Sequence, residues 1–168
     1  MATKEMPCEE KLDKIYDVYL SETAASYAFH KDQGTVDKWL DSTLEVFSGT
    51  MPKFMGPIIT LMRTVAPGRT FKQTVNQMVY MQQILQPPSD IEISWVSDRE
   101  ASMRFKNCEI LRRSREIVKK AGLEIDPRFY CKIDQYRHTS PLHPMQKFRI
   151  GMDCELEENG CTWTFKLK

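Results

Sequence analysis

The stretch PPSDIEISWVSDREASMRF, residues 87–105, is where the spacing of apolar residues changes along the chain. After Pro87 and Pro88 the helical period of about 3.6 residues gives way to a strict alternation with a period of 2. The alternating apolar residues are Ile91, Ile93 and Trp95, followed after a polar turn by Ala101, Met103 and Phe105. Two such runs separated by a polar turn predict a β-hairpin.

The chain before this stretch has helical spacing of its apolar residues. The predicted helices cover residues 9–29, 35–49, 52–68 and 69–86. Thr35 and Gly49 are plausible residues for the two ends of the second helix, and the last helix must stop at Pro87. Residues 1–88 are therefore expected to be helical.

The chain after residue 105 alternates between the two periods. Asn107 is a good N-cap for a helix that begins at Cys108 and ends before Gly122. In RFYCKIDQY, residues 128–136, Phe129, Cys131 and Ile133 alternate with polar residues. This pattern predicts a strand, with Asp134 on the face opposite Cys131.

The C-terminus predicts a second hairpin. Asn159-Gly160 lies between two alternating runs and is typical of a two-residue turn. Such a turn would place Leu156 opposite Trp163 and Cys154 opposite Phe165. The fold class is then α+β in one domain, residues 1–168: N-terminal helices packed on a mainly antiparallel sheet formed by the C-terminal half, with residues 89–168 as a ββαβββ part.

Composition excludes several classes of function. The 168 residues are 41% hydrophobic and 28% charged, and the formal net charge is +1. This balance gives no reason to expect nucleic-acid binding, and no apolar run approaches the ~20 residues of a membrane span. The N-terminus does not resemble a secretory signal. Five cysteines, an odd number spread widely along the chain, suit a reducing compartment, so we expect a cytoplasmic protein.

The cysteines are the first candidates for chemistry. Cys108, at a helix N-terminus with Arg104, Lys106 and Arg112 nearby, has the surroundings that lower a thiol pKa. Cys131, Cys154 and Cys161 are predicted on apolar strand faces, where cysteine also packs as a small core residue. A zinc site completed by His138 or His143 is a weaker alternative, because there is no closely spaced cysteine pair.

The segment QYRHTSPLHPMQKF, residues 135–148, is predicted to be a loop between strands, and it contains two of the three histidines. His138 and His143 could serve as acid, base or ligand near neutral pH, or could lie in an ordinary exposed connection. Asp134, just before them, is either a proton-transferring carboxylate or the partner of a nearby cation.

The C-terminal third resembles a known family. FKNC before a helix, FYCKID, and the final GCTWTFKLK are similar to the L-2-amino-thiazoline-4-carboxylic acid hydrolase family. Cys108 matches a cysteine before the central helix, Cys131 and Asp134 match a Cys-x-x-Asp pair, and Cys161 matches a terminal cysteine. The chain departs from the family at Thr162, where members usually have aspartate, and at Trp163, where they have phenylalanine.

The resemblance implies hydrolysis of a C–N bond in a small cyclic amidine or thiazoline carboxylate. Nucleophilic attack would come from a thiolate or from water activated by a side-chain base. The expected catalytic residues are Cys108, Cys131, Asp134, His138 and Cys161. The expected substrate-binding residues are Arg104, Arg128 and His143, with the arginines binding the carboxylate.

Two further hypotheses stay open at this point. The chain could be a non-catalytic module that binds a metal, a cofactor or a small ligand. Alternatively it could be an accessory subunit, or a homo-oligomer, that contacts its partner through the helical half. The methionine- and proline-rich segment MPKFMGPIITLM, residues 51–62, is the expected contact.

Overall fold

The computed structural model describes residues 7–49, 55–85, 90–143, 146 and 148–168. The described residues form α-helices and β-strands. They are α1 (Cys8–Asp32), α2 (Val36–Gly49), α3 (Met55–Val65), α4 (Pro67–Leu85), β1 (Ile91–Trp95), β2 (Glu100–Phe105), α5 (Glu109–Ala121), α6 (Phe129–Thr139), β3 (Ile150–Leu156) and β4 (Cys161–Leu167). The predicted α+β class and the helical N-terminal half are confirmed.

The strands form an antiparallel sheet in the order β1-β2-β4-β3 within the described residues. The predicted first hairpin is confirmed, with Ile93 paired to Met103 and Trp95 to Ala101. One face of the sheet is apolar and packs against helices, whereas the other carries polar side chains. Core residues on the apolar face include Ala101, Met103, Phe105, Trp163 and Phe165.

The helices lie on the apolar face in two packed groups. Phe71, Val75 and Val79 of α4 pack directly on the sheet. A second core forms where α1 and α2 meet α5 and α6, and it includes Phe129 and Ile133, both fully buried. Helices α5 and α6 therefore bury their apolar faces in the core and expose charged residues on their other faces.

An arginine ties α1 to α5. The guanidinium of Arg113 contacts the carboxylates of Asp13 and Asp17 on α1 and of Glu109 on its own helix. Its side chain is only 12% exposed, so this cation is largely removed from water and needs those partners.

The strand predicted for residues 128–136 is wrong, because these residues form helix α6. Phe129 and Ile133 are fully buried, whereas Cys131 between them, which a strand would place on the same face, is half-buried. The backbone N–H of Arg128 donates to the Asp126 carboxylate at 2.8 Å, and Pro127 follows that aspartate. An aspartate followed by proline is a helix-start signal that the alternation concealed. The C-terminal part is consequently ββααββ rather than ββαβββ.

The second hairpin exists, but its predicted register is wrong by two residues. Leu156 pairs with Cys161 and Cys154 pairs with Trp163, so the connection is a four-residue loop rather than a two-residue turn. The N–H of Cys108 donates to the Asn159 carbonyl at 2.9 Å, which holds the loop against the start of α5. A Cβ at Gly160 would lie 1.7 Å from the Phe105 carbonyl oxygen, so glycine serves close backbone approach there.

Helix α3 carries an uncovered apolar stripe. Ile58, Leu61, Met62 and Val65 are all exposed, at the spacing of one helix face. Residues 51–54 of the expected contact segment lie outside the described residues. Among the helices that the structure describes, none is both long and apolar enough to cross a membrane.

Candidate functional site

A pocket lined by cysteines lies between the apolar face of the sheet and helices α5 and α6. Its cysteines are Cys108, just before α5, Cys131 on α6, Cys154 on β3 and Cys161 on β4. All five cysteines of the chain are described, and all are free thiols. Residues spread over 54 positions of sequence thus meet at one place, which the sequence spacing did not show.

Three local features bring the thiols together. In the observed register Cys154 and Cys161 are diagonal neighbours on the same sheet face, and their thiols are in hydrogen-bonding contact. The contact of the Cys108 N–H with the hairpin loop carries the start of α5 to β4. The Gln135 amide donates to the Cys154 carbonyl at 3.1 Å, which holds α6 over β3 and turns Cys131 toward the other thiols.

The rest of the lining combines apolar walls with two polar groups. Phe105, Ile110 and Trp163 provide the walls, and Tyr130 and Asp134 of α6 provide the polar side chains. The pocket is open on one side, and its volume of about 20 Å³ is room for a water molecule. Tyr130 and Asp134 are half-buried, so the polar side of the pocket reaches solvent.

Asp134 and His138 form an acid–base pair beside the pocket. Because α6 is a helix, these residues are one turn apart on the same face, and Asp134 Oδ1 lies 3.5 Å from His138 Nε2. The ring of His138 meets Trp163 edge-on at 5.2 Å between centroids. Its Nδ1 is buried and has no hydrogen-bond partner among the described residues. The expectation that Asp134 faces away from Cys131 is therefore wrong.

Three of the pocket thiols, those of Cys108, Cys131 and Cys161, have raised pKa values. Burial, and then the neighbouring thiols of Cys108 and Cys161, raise the pKa of Cys131 to about 12. The contact with Cys154 and then burial raise the pKa of Cys161. Near neutral pH these cysteines are weak nucleophiles, because the thiolate is the reactive form.

The helix N-terminus was expected to lower the pKa of Cys108, but the surroundings of this thiol raise it. Cys108 is the N-cap of α5, one residue before the predicted position, and the nearby N–H groups of Leu111 and Ile110 do lower its pKa. Burial is the larger effect, and the pKa of Cys108 is raised overall. Desolvation of the thiolate outweighs the helix dipole here.

Arg104 lies on the opposite face of the sheet from the pocket. Its guanidinium binds both carboxylate oxygens of Glu157, with Nη2 to Oε2 at 2.6 Å. Thr162 donates to the same carboxylate at 2.6 Å, so this departure from the resembling family faces away from the pocket, whereas the other departure, Trp163, lines it. The predicted substrate-binding role of Arg104 has no geometric basis at this site.

Arg128 and His143 lie nearer the pocket, but the side chain of each already contacts another group of the protein. Arg128 is close enough to lower the pKa of Cys131, and its guanidinium donates to the Glu158 carbonyl at 3.2 Å. His143 packs edge-on against His138, with ring centroids 4.7 Å apart. Burial, and then the neighbouring His138, lower the pKa of His143 to about 4, so its ring is neutral at physiological pH.

The geometry offers no ready metal centre. In the part of the chain that the structure describes, no group of three or more histidine, cysteine, aspartate or glutamate side chains is arranged to hold a metal ion. The converging thiols therefore lack the ligand arrangement that the zinc hypothesis requires.

Sequence reasoning did not identify Cys154 and Tyr130 as site residues. Cys154 was expected on the apolar face but was not assigned a role, and Tyr130 was placed on the polar side of a strand. The Asp126-Pro127 helix start was the signal that could have identified Tyr130, Asp134 and His138 as one face of a helix.

Comparison with known proteins does not identify a relative. No protein-family model, no curated protein and no solved structure significantly matches this chain.

Proposed function

We propose that the chain is a hydrolase that opens a small cyclic amidine or thiazoline carboxylate at the thiol pocket. The observation that carries this proposal is that Asp134 lines the pocket and lies 3.5 Å from the ring of His138. The resemblance to the L-2-amino-thiazoline-4-carboxylic acid hydrolase family supplies the substrate class.

The nucleophile in this proposal is water rather than a thiolate. With a pKa of about 12, Cys131 is ionised in roughly one molecule in 10⁵ at pH 7. Asp134, by contrast, is a half-buried carboxylate with a histidine next to it, a combination that can accept and return a proton. The neutral thiols serve as small walls that fit the pocket to its ligand.

Asp134 accepts one proton from water as the water oxygen attacks the amidine carbon, and this proton passes through His138 to the ring nitrogen, which gives a neutral tetrahedral adduct. As the bond from that carbon to the ring nitrogen breaks, the hydroxyl of the adduct loses its proton to Asp134, and His138 again delivers the proton to the departing nitrogen. Both protons of water therefore end on the new amine. The product from 2-amino-2-thiazoline-4-carboxylate is S-carbamoylcysteine, and one water molecule is consumed. Because the enclosed space is small, only the reacting end of the ring enters it, and the carboxylate stays near the surface.

Mass spectrometry of wild-type protein incubated with this substrate tests the proposal. Asp134→Asn should lower kcat/KM by about a hundredfold or more, because it removes the base without changing the size of the side chain. Asp153→Asn is the matched control, since Asp153 is an exposed aspartate on β3. Equal rates for the two variants would contradict the assigned base.

The same samples distinguish the non-catalytic alternative. A ligand-induced rise in Tm for wild type, with no ring-opened product, would support a small-ligand-binding module and overturn the hydrolase. The buried Nδ1 of His138, which has no hydrogen-bond partner in the described part of the chain, is compatible with a ligand in either case.

A second copy of the chain is a candidate partner because of the stripe on α3. Ile58, Leu61, Met62 and Val65 form a wholly apolar surface that can face its own copy across a two-fold axis. Light scattering after size exclusion should show a dimer that Leu61→Glu dissociates and Thr60→Glu, off the stripe on the same helix, leaves intact. A monomeric wild type at every concentration would contradict this partner.

The five free cysteines also support the proposed cytoplasmic location, where thiols stay reduced. Fractionation of the cells that make the protein checks this, and recovery from an oxidising compartment would contradict it.

A further inference from the structure

Two of the four pocket thiols form a close pair within the core. Cys154 on β3 and Cys161 on β4 are 8% and 7% exposed, and their thiols are in hydrogen-bonding contact. Both belong to the core cluster on the apolar face of the sheet, and Cys108 packs against that cluster. What cysteine adds to its packing is oxidation, disulfide exchange and metal binding, so these are the chemistries open to the pair.

The strand register does not favour a disulfide between them. Cys154 is opposite Trp163 and Cys161 is opposite Leu156, so the two cysteines are diagonal neighbours. Diagonal neighbours in an antiparallel pair are about 7–8 Å apart, whereas the Cα atoms of a disulfide are usually about 5.5–6 Å apart. Closing the bond would therefore require the backbone to move.

A metal ion joins two thiols at a longer separation than a disulfide does. A metal–thiolate bond is about 2.3 Å long, so two bonds in line join sulfur atoms about 4.6 Å apart. Thiolates select soft ions such as copper(I), which two ligands in line are sufficient to hold. In the described parts of the chain no three ligands are arranged to hold an ion, but a two-ligand centre needs only the pair. The pocket volume of about 20 Å³ is room for a single ion.

A hydrogen-bond donor is directed at the same pair. The contact with Cys154 and then burial raise the pKa of Cys161, whereas the Trp163 side chain, which donates its indole N–H to the Cys161 sulfur, lowers it. Copper(I) held by two thiolates carries one net negative charge, which in an apolar pocket needs such a donor. Trp163 is 4% exposed, and its indole N–H donates without competing as a ligand.

We propose that Cys154 and Cys161 bind one copper(I) ion as a two-coordinate thiolate centre, with the Trp163 indole N–H donating to the Cys161 sulfur. Binding forms two copper–sulfur bonds and releases the two thiol protons, and no electron is transferred. Cys108 and Cys131 line the same pocket but are not ligands. The site does not depend on the proposed hydrolysis.

Anaerobic titration of copper(I) against a coloured chelator, bathocuproine disulfonate, measures the affinity of the site. The wild type is expected to withdraw one equivalent of copper(I) from the chelator. Cys154→Ser and Cys161→Ser should each lower the affinity by about a hundredfold or more, because loss of a ligand costs more than loss of an outer-shell partner. The matched controls are Cys8→Ser, which removes an exposed thiol, and Cys131→Ser, which removes a pocket thiol outside the pair. Both controls should bind as the wild type does.

Trp163→Phe tests the donor, because it keeps an aromatic wall and removes the N–H. It should lower the affinity by about tenfold and leave the stoichiometry at one ion. Circular dichroism checks that each variant is folded before its titration. X-ray absorption of the copper-loaded wild type needs no variant and should show two sulfur ligands.

Four outcomes would overturn the inference. The wild type could leave all the copper(I) with the chelator, or both Cys154→Ser and Cys161→Ser could bind it as well as the wild type. X-ray absorption could show three sulfur ligands, or Trp163→Phe could bind with unchanged affinity, which would remove the assigned donor. Copper(I) binding as expected in a protein that forms no ring-opened product would support the site and remove only the hydrolase.

Discussion

Gly160→Ala gives the most specific test of how the hairpin loop is packed. The added Cβ would lie 1.7 Å from the Phe105 carbonyl oxygen and 2.8 Å from its carbon. Ordinary contacts need about 3.5 Å, so the loop must move by on the order of 2 Å. The obstacle is backbone rather than a flexible side chain, so it cannot turn aside.

That displacement has a calculable effect on stability. It separates Cys161 from its strand partner Phe105 and breaks the hydrogen bond from the Cys108 N–H to the Asn159 carbonyl. The lost hydrogen bond costs about 1 kcal/mol and the forced repacking about 2 kcal/mol more, so we expect a loss of about 3 kcal/mol in the free energy of unfolding.

Urea denaturation followed by circular dichroism measures this loss. Gly49→Ala is the matched control, because a Cβ there meets nothing within 4 Å and replaces glycine in a helix. It should be neutral or stabilising by up to about 1 kcal/mol. A Gly160→Ala protein within about 0.5 kcal/mol of wild type would refute the close approach of the loop to β2.

Three further predictions follow from burial and charge. Ile133→Ala should lower the free energy of unfolding in urea by about 2–5 kcal/mol, because Ile133 is fully buried. Lys132→Ala, which loses only an exposed ion pair, should lower it by less than about 1 kcal/mol. Equal losses would contradict the orientation of α6. The pKa of His143 is about 4 in the folded protein, whereas that of an unfolded histidine is about 6.5. The unfolded chain therefore takes up the proton first, and the free energy of unfolding should fall as the pH drops from 6.5 to 4. His143→Asn should flatten this part of the pH profile, and an unchanged profile would contradict the burial of His143. Iodoacetamide should label Cys8 readily at pH 8, while the rate at Cys131 keeps rising toward pH 12; rapid labelling of Cys131 below pH 7 would contradict its raised pKa.

The architecture was predictable because long periodic segments dominate it. Helices α2 and α4 and strand β2 each bury one apolar face, and burial of such faces leaves few arrangements other than helices on a sheet. The helix from Glu109 to Ala121 was also predictable, with Gly122 in the left-handed conformation at φ 62° after its end.

Helix α6 was not predictable from alternation alone. Over nine residues a strand and a helix both place Phe129 and Ile133 on one face, because their separation of four residues satisfies both periods. Cys131 distinguishes the two structures. A strand would bury Cys131 on the same face as Phe129 and Ile133, whereas the helix turns it toward the sheet. The sequence named Asp134 and His138 as candidate site residues but did not show that they share a face with Tyr130, since only the helix brings these three together.

The thiol surroundings depend on tertiary structure in a different way. The sequence correctly predicted that Cys108 lies at a helix N-terminus, which lowers a thiol pKa. It could not predict the burial of Cys108, which raises this pKa by more. The hairpin register likewise depends on a contact with α5, more than 40 positions upstream, that no local pattern contains.

Turnover by three single variants, Cys108→Ser, Cys131→Ser and Cys161→Ser, is the most direct test that water at Asp134, and not a thiolate, opens the substrate. Each rate is measured on protein whose far-ultraviolet circular dichroism matches wild type. We predict that all three folded variants keep a kcat of the same order as wild type. Complete loss of turnover in any one of them, with its fold intact, would identify that cysteine as the nucleophile and contradict the proposed mechanism.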